Sequence, residues 1–141
     1  MQNDKCRPSP EPGGPAGDYD KFDLEERTAR FGEAVIRFAK KAPQTPITVP
    51  LIGQLTRAGT SVGANYCEAD DAVSRKEFRK NIGTCRKESR ESKHWLRMIA
   101  AAIPDLKSEA RVLWQEAKEL HLIFSKIFHK VSKATAEHPD E

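Results

Sequence analysis

Leu106, Ala110, Leu113, Ala117, Leu120, Phe124, Ile127 and Val131 recur at steps that alternate between four residues and three. That period predicts a long amphipathic helix with a bundle-type apolar seam. A second seam, Phe78, Ile82, Cys85, Ser89, Ser92, Leu96 and Ile99, predicts a helix from the Ser74/Glu77 start signal to about Ala102, where Pro104 stops it. Upstream, Leu51, Leu55, Ala58, Val62, Tyr66 and Ala69 share one face of a helix that tolerates Pro50 in its first turn and runs to about Asp70. The first helix is expected from Asp23, capped by that side chain and by Glu26, through Leu24, Phe31, Val35, Phe38 and Ala42 to Pro43. Gln44 to Thr48, restricted by Pro46, forms the first loop. No stretch alternates with period two. Short connections favour antiparallel neighbours, so the pattern predicts an all-α, up-down-up-down four-helix bundle over residues 22–133.

The second helix carries a further stripe. Gln54, Arg57, Ser61, Asn65 and Glu68 run parallel to its apolar face, and Gly59 and Gly63 lie inside the helix, where each costs roughly 1 kcal/mol relative to alanine. A polar contact between helices or subunits explains that cost; an ordinary wet face with tolerated glycines is the alternative. On the third helix, Glu88 and Glu91 stand close enough to the seam to meet a cation from a neighbour, and Arg57 is the obvious candidate. Arg57, Ser61, Asn65, Glu68, Glu88 and Glu91 are therefore candidate structural or subunit-contact residues.

The third helix also sorts its charges. Arg75, Arg79, Arg86, Arg90, Lys93 and Arg97 occupy one flank, with Lys76, Lys80 and Lys87 beyond, whereas Glu77, Glu88 and Glu91 occupy the other. A basic ridge of this length can follow a phosphate backbone, and arginine suits bidentate phosphate contact. Arg79, Arg86, Arg90, Lys93 and Arg97 are thus candidate nucleic-acid-binding residues, set against the alternative of a solvated face. Trp114, Ile123 and Phe128 fall outside the seam of the last helix and either widen the core face or offer a second contact.

Composition narrows this picture. The chain has 141 residues, enough for one domain, and a net charge of +3, too small by itself to imply a polyanionic partner. Cys6, Cys67 and Cys85 are sparse and form no CxxC, as expected in a reducing cytoplasm. No apolar run reaches the roughly 20 residues of a membrane span. Residues 1–21, rich in proline and glycine, are expected to be a disordered arm, and residues 134–141 a disordered polar tail. Glu91 and His94 form a single Glu-x-x-His, which lacks the second copy and the further carboxylates that a di-metal bundle needs. His121 sits next to the seam of the last helix and reads as a packed histidine. No nucleophile triad or phosphate loop is present, so no enzymatic activity, metal or cofactor is expected.

The run Leu51-Ile52-Gly53-Gln54-Leu55-Thr56-Arg57-Ala58-Gly59-Thr60-Ser61-Val62-Gly63-Ala64-Asn65, then Glu68, Ser74-Arg75-Lys76-Glu77-Phe78 and Lys87-Glu88-Ser89-Arg90-Glu91-Ser92-Lys93-His94-Trp95-Leu96, resembles the four-helix-bundle proteins encoded in 23S rRNA intervening sequences. It is also similar to the accessory protein of diversity-generating retroelements. The resemblance implies a compact bundle assembling as a homopentamer, without enzymatic activity, and, in the retroelement relatives, nucleic-acid association through basic surface. It places Arg57, Ser61, Asn65, Glu68, Glu88 and Glu91 in the family signature, with a structural or subunit-contact role. The proline-rich arm is an addition to that pattern and Cys67 a departure from it. Two functions follow as expectations: an oligomeric bundle that binds RNA or DNA through the third helix, or a protein-interaction scaffold, for example for a reverse transcriptase. A metal-dependent enzyme ranks third.

Overall fold

In the computed structural model, which describes residues 23–137, the chain forms α1 (Leu24–Ala39), α2 (Thr48–Asp70), α3 (Arg75–Ala102), a 3-10 turn (Pro104–Leu106) and α4 (Lys107–Glu137), with no strand among the described residues. The expected arm, with Cys6, and the last four residues, with His138, lie outside the described residues.

Side-chain contacts set the direction of each helix. Val35 and Thr28 of α1 face Gly59 and Gly63 of α2, respectively. Arg57 of α2 meets Glu88 of α3, and Val62 meets Cys85. Arg79 of α3 reaches Ser132 of α4, whereas Lys93 reaches Trp114. Arg27 and Lys41 of α1 close the circuit on Glu116 and Glu109 of α4. In every pair, one sequence number rises as the other falls, so neighbours are antiparallel and the bundle is up-down-up-down.

The seams pack as their spacing dictates. Phe31, Val35, Phe38, Leu55, Val62, Ile82, Cys85, Leu96, Ile99, Leu120 and Phe124 are buried together in one core. Ser89 and Ser92, which interrupt the apolar pattern of α3, are also fully buried. Each hydroxyl donates at 2.8 Å to a carbonyl one turn back, Cys85 and Glu88 respectively, so no buried donor is stranded.

The helix ends depart from expectation in several places. Asp23 makes no side-chain cap, and the Glu26 carboxylate, instead of reaching back to the Asp23 amide, accepts from Arg30 Nε at 3.0 Å. The first helix stops at Ala39, and turn bonds from Lys41 N to Phe38 O and from Ala42 N to Ala39 O carry the chain to Pro43. A proline disfavours helical backbone in the residue before it, which accounts for the early exit. Leu106 belongs to the 3-10 turn, and α4 continues through residues 134–137, which the sequence assigned to a frayed tail. At α3 the Ser74 hydroxyl accepts from Glu77 N at 3.1 Å, and the Glu77 carboxylate accepts from Val73 N at 3.4 Å, one residue earlier than a symmetric capping box requires.

Candidate nucleic-acid interface

The glycines of α2 and its polar stripe serve different faces. A methyl group at position 59 would lie 2.8 Å from Val35 Cγ2, and one at position 63 would lie 3.3 Å from Thr28 Oγ1, so both glycines allow α1 to approach. The stripe turns toward α3, where Arg57 Nη1 donates to Glu88 Oε2 at 2.9 Å and Nη2 lies 3.6 Å from Glu91 Oε1. The Glu88 side chain is 6% exposed and that of Arg57 51%, so the pair straddles the surface. Burial pushes the Glu88 carboxyl above the usual carboxylate range; the neighbouring Glu91 carboxyl adds to that rise, and Arg57 opposes it. Ser61 and Asn65 bond their own helix, to Arg57 O and Ser61 O, and do not cross to α3. Gln54 and Glu68 are exposed.

The basic flank of α3 divides into two rows. Arg79, Arg86 and Lys93 recur every seven residues and are half-buried along the seam with α4; Arg90 and Arg97 are exposed beside them. Opposite the inner row, Trp114, His121 and Phe128 recur at the same interval. Because the helices are antiparallel, the two series interlock as a ladder with rungs about 10.5 Å apart. The Arg79 and Arg86 guanidinium carbons lie 5.2 and 4.6 Å from the Phe128 ring centre. Lys93 and Lys118 approach Trp114 at 5.6 and 5.7 Å. Gly83 makes room at one end: a methyl there would come within 3.1 Å of Phe128 Cε2. Arg79 Nε also donates to Ser132 Oγ at 2.9 Å.

His121 occupies the middle rung. Burial lowers its pKa, as do Lys93, Arg86 and Arg90. No carboxylate among the described residues forms an ion pair with Arg79, Arg86, Arg90, Lys93 or Arg97, because the acids of the neighbouring helices point elsewhere. Glu109, Glu116 and Glu119 of α4 bind Lys41 and Arg27 of α1, while Glu88 and Glu91 bind Arg57. The α3/α4 seam is therefore a line of uncompensated positive charge.

Sequence periodicity gave the five α3 cations their common flank. It did not show that three of them lie on aromatic rings, nor that Lys118 and His121 join them. The signal that finds them is the matched seven-residue spacing of the two series, which has meaning only once both helices are set antiparallel.

Other candidate chemistry disperses. His94 is exposed and packs edge-on against Trp95 at 4.9 Å, away from Glu91's contact with Arg57. No group of three His, Cys, Asp or Glu side chains among the described residues is arranged to hold a metal ion. Cys85 is buried, its thiol pushed up to about 12 by desolvation, with Sγ donating to Val62 O at 3.5 Å. Such a thiol is unreactive. Cys67 is half-buried on α2. No described helix is long and apolar enough to cross a membrane.

Comparison with known proteins bears on the fold and the signature together. The sequence model of a family described as "23S rRNA-intervening sequence protein" matches residues 20–126. A crystal structure from Bacteroides thetaiotaomicron, of a protein of unknown function from the S23 ribosomal protein family, superposes with a TM-score of 0.67 at 21% identity. The match covers 74% of this chain and 94% of that one, a likeness of fold. No curated protein shows significant similarity to the chain.

Proposed function

The chain belongs to the 23S rRNA-intervening sequence protein family, and from that premise we propose that it is a non-enzymatic, homo-oligomeric bundle that binds RNA or DNA through the α3/α4 ladder. The observation that carries this reading is the acid-free line of Arg79, Arg86, Arg90, Lys93 and Arg97, each left without a carboxylate partner while neighbouring cations are paired. Phosphates are the natural counter-charge for such a row, and each contact adds salt-sensitive affinity that is independent of sequence. A pentamer, the assembly implied by the family resemblance, would present five copies of the ladder and convert a modest patch into an avid surface.

Exchange of the exposed pair, Arg90→Glu with Arg97→Glu, tests the reading without disturbing the cations laid on the rings. Nucleic-acid affinity should fall steeply with added salt in the wild type and drop at least tenfold in the variant, with helicity and melting temperature retained. No binding of single or double strands at low salt would defeat it. Sedimentation gives the subunit number directly.

A protein-interaction scaffold, for example an accessory subunit for a reverse transcriptase, is the rival. It is favoured by a shallow groove of about 240 Å³ between α1 and α2, floored by Ala29, Gly32, Gly63 and Ala64. Co-purification of one defined protein, competed by filling the groove with Ala64→Trp, would support the scaffold instead.

A further inference from the structure

We propose that the ladder takes single-stranded nucleic acid, with Trp114 and Phe128 as platforms for unpaired bases. This rests on the nucleic-acid reading above and goes beyond it in naming the strand form.

The two rings are partly buried against the bundle core, and long cationic side chains lie over them: Lys93 and Lys118 over Trp114, Arg79 and Arg86 over Phe128. A cation resting on a ring face is held weakly where water reaches it, whereas a guanidinium or ammonium on a phosphate gains a charge-assisted hydrogen bond. An arriving backbone would therefore draw these side chains off the rings and expose aromatic faces where an unpaired base can stack. Grooves that hold single strands combine the same two parts, cations that track the backbone and aromatic faces that accept bases of any identity. Trp114 and Phe128 are fourteen residues apart on α4, about 21 Å, and Arg79 to Arg97 spans about 27 Å of α3. A single strand of several nucleotides can follow that line and reach both rings. In a duplex the bases remain stacked on each other, so only the outer cations, Arg90 and Arg97, would engage.

Trp114 supplies its own reporter. Trp95→Phe removes the other tryptophan, which lies on the α2 side of α3 and whose buried Nε1 has no hydrogen-bond partner among the described residues, so the exchange strands nothing. In the assembled Trp95→Phe protein, a single-stranded oligonucleotide should quench Trp114 fluorescence, whereas a duplex and an abasic strand of equal length should bind more weakly and leave it unchanged. Trp114→Leu, which keeps an apolar side chain at the seam, should lower single-strand affinity roughly tenfold and leave duplex affinity and salt slope as they were. Should Trp114→Leu fail to fold, Phe128→Leu and the quenching result decide. Equal binding of all three ligands with unchanged fluorescence overturns the stacking site and leaves the nucleic-acid reading standing; no binding of any ligand at low salt overturns both.

Discussion

Arg57 of α2 reaches Glu88 of α3 at 2.9 Å, and the same guanidinium extends to Glu91 at 3.6 Å. One half-exposed cation thus serves two carboxyls a turn apart, each with an oxygen that is buried and otherwise unpartnered among the described residues. Glu88 is held above the ordinary carboxylate range, first by burial and then by the adjacent Glu91 carboxyl. A folded-state pKa raised in this way gives stability that is full below the unfolded value and is lost as pH rises through the folded one.

Arg57→Ala removes the influence that limits this loss. The variant should be destabilised by about 1–2 kcal/mol near neutral pH, less than the 3–5 kcal/mol of a fully buried pair because Arg57 stands half in solvent. At about pH 4, below even the ordinary glutamate value, Glu88 is largely protonated and the deficit should shrink. Denaturant melts at the two pH values measure it, and Arg57→Ala with Glu88→Gln should recover part of the loss. Equal deficits at both pH values would remove the charge argument.

The glycines of α2 predict opposite outcomes for one kind of substitution. Gly53 has nothing within 4 Å of an added methyl, so Gly53→Ala should stabilise the protein by about 0.5–1 kcal/mol through helix propensity alone. Gly59→Ala should destabilise it despite the same gain, since its methyl would meet Val35 at 2.8, 3.0 and 3.2 Å. Val35→Ala opens the space at its own cost to the core, so the losses of the two substitutions should sum to more than the double variant shows. Thermal melts of these variants suffice, and a stabilised Gly59→Ala protein would show that α1 simply shifts aside.

Capping gives a second contrast. Ser74 accepts the Glu77 amide and Asp23 accepts none. Ser74→Ala should therefore cost about 1 kcal/mol, and Asp23→Ala no more than a few tenths. Comparable losses from the two, in urea titrations, would mean that sequence start signals act here through charge at the helix end and not through the hydroxyl bond.

These positions also show what the sequence made legible. The seams of α3 and α4 could be read because burial imposes their period on every turn: Ile82, Cys85, Leu96, Leu120 and Phe124 lie where the spacing puts them. Arg57 could be matched to Glu88 because a lone cation in a polar stripe needs a partner and only one facing helix offered acids near its seam. Asp23 misled because the choice of Glu26 between a backbone amide and Arg30 is decided by local energies of similar size. Gly59 and Gly63 were grouped with the polar stripe because sequence reveals their cost before it reveals which neighbour benefits. The cation ladder was half visible: a flank belongs to one helix, but a rung needs the register between two.

His121 sits on the middle rung and ties that ladder to pH. Burial first, then Lys93, Arg86 and Arg90 of α3, hold its pKa below the usual histidine value, and Lys118 of its own helix lies one turn away beside Trp114. With the folded value lowered, the unfolded chain binds the proton more readily, so unliganded stability should fall as pH drops below about 6.5 toward the folded value. His121→Gln should lessen that fall. Ligand binding reverses the local field: phosphates on Arg86, Arg90 and Lys93 would offset the charges that repel the proton, and His121 would take one up as the strand binds. Nucleic-acid affinity should therefore rise between about pH 7.5 and pH 5.5, with proton uptake visible as a buffer-dependent binding enthalpy. His121→Gln should flatten the profile while leaving affinity near pH 7.5 unchanged. A profile equally steep in the variant would assign the pH dependence to groups outside the ladder.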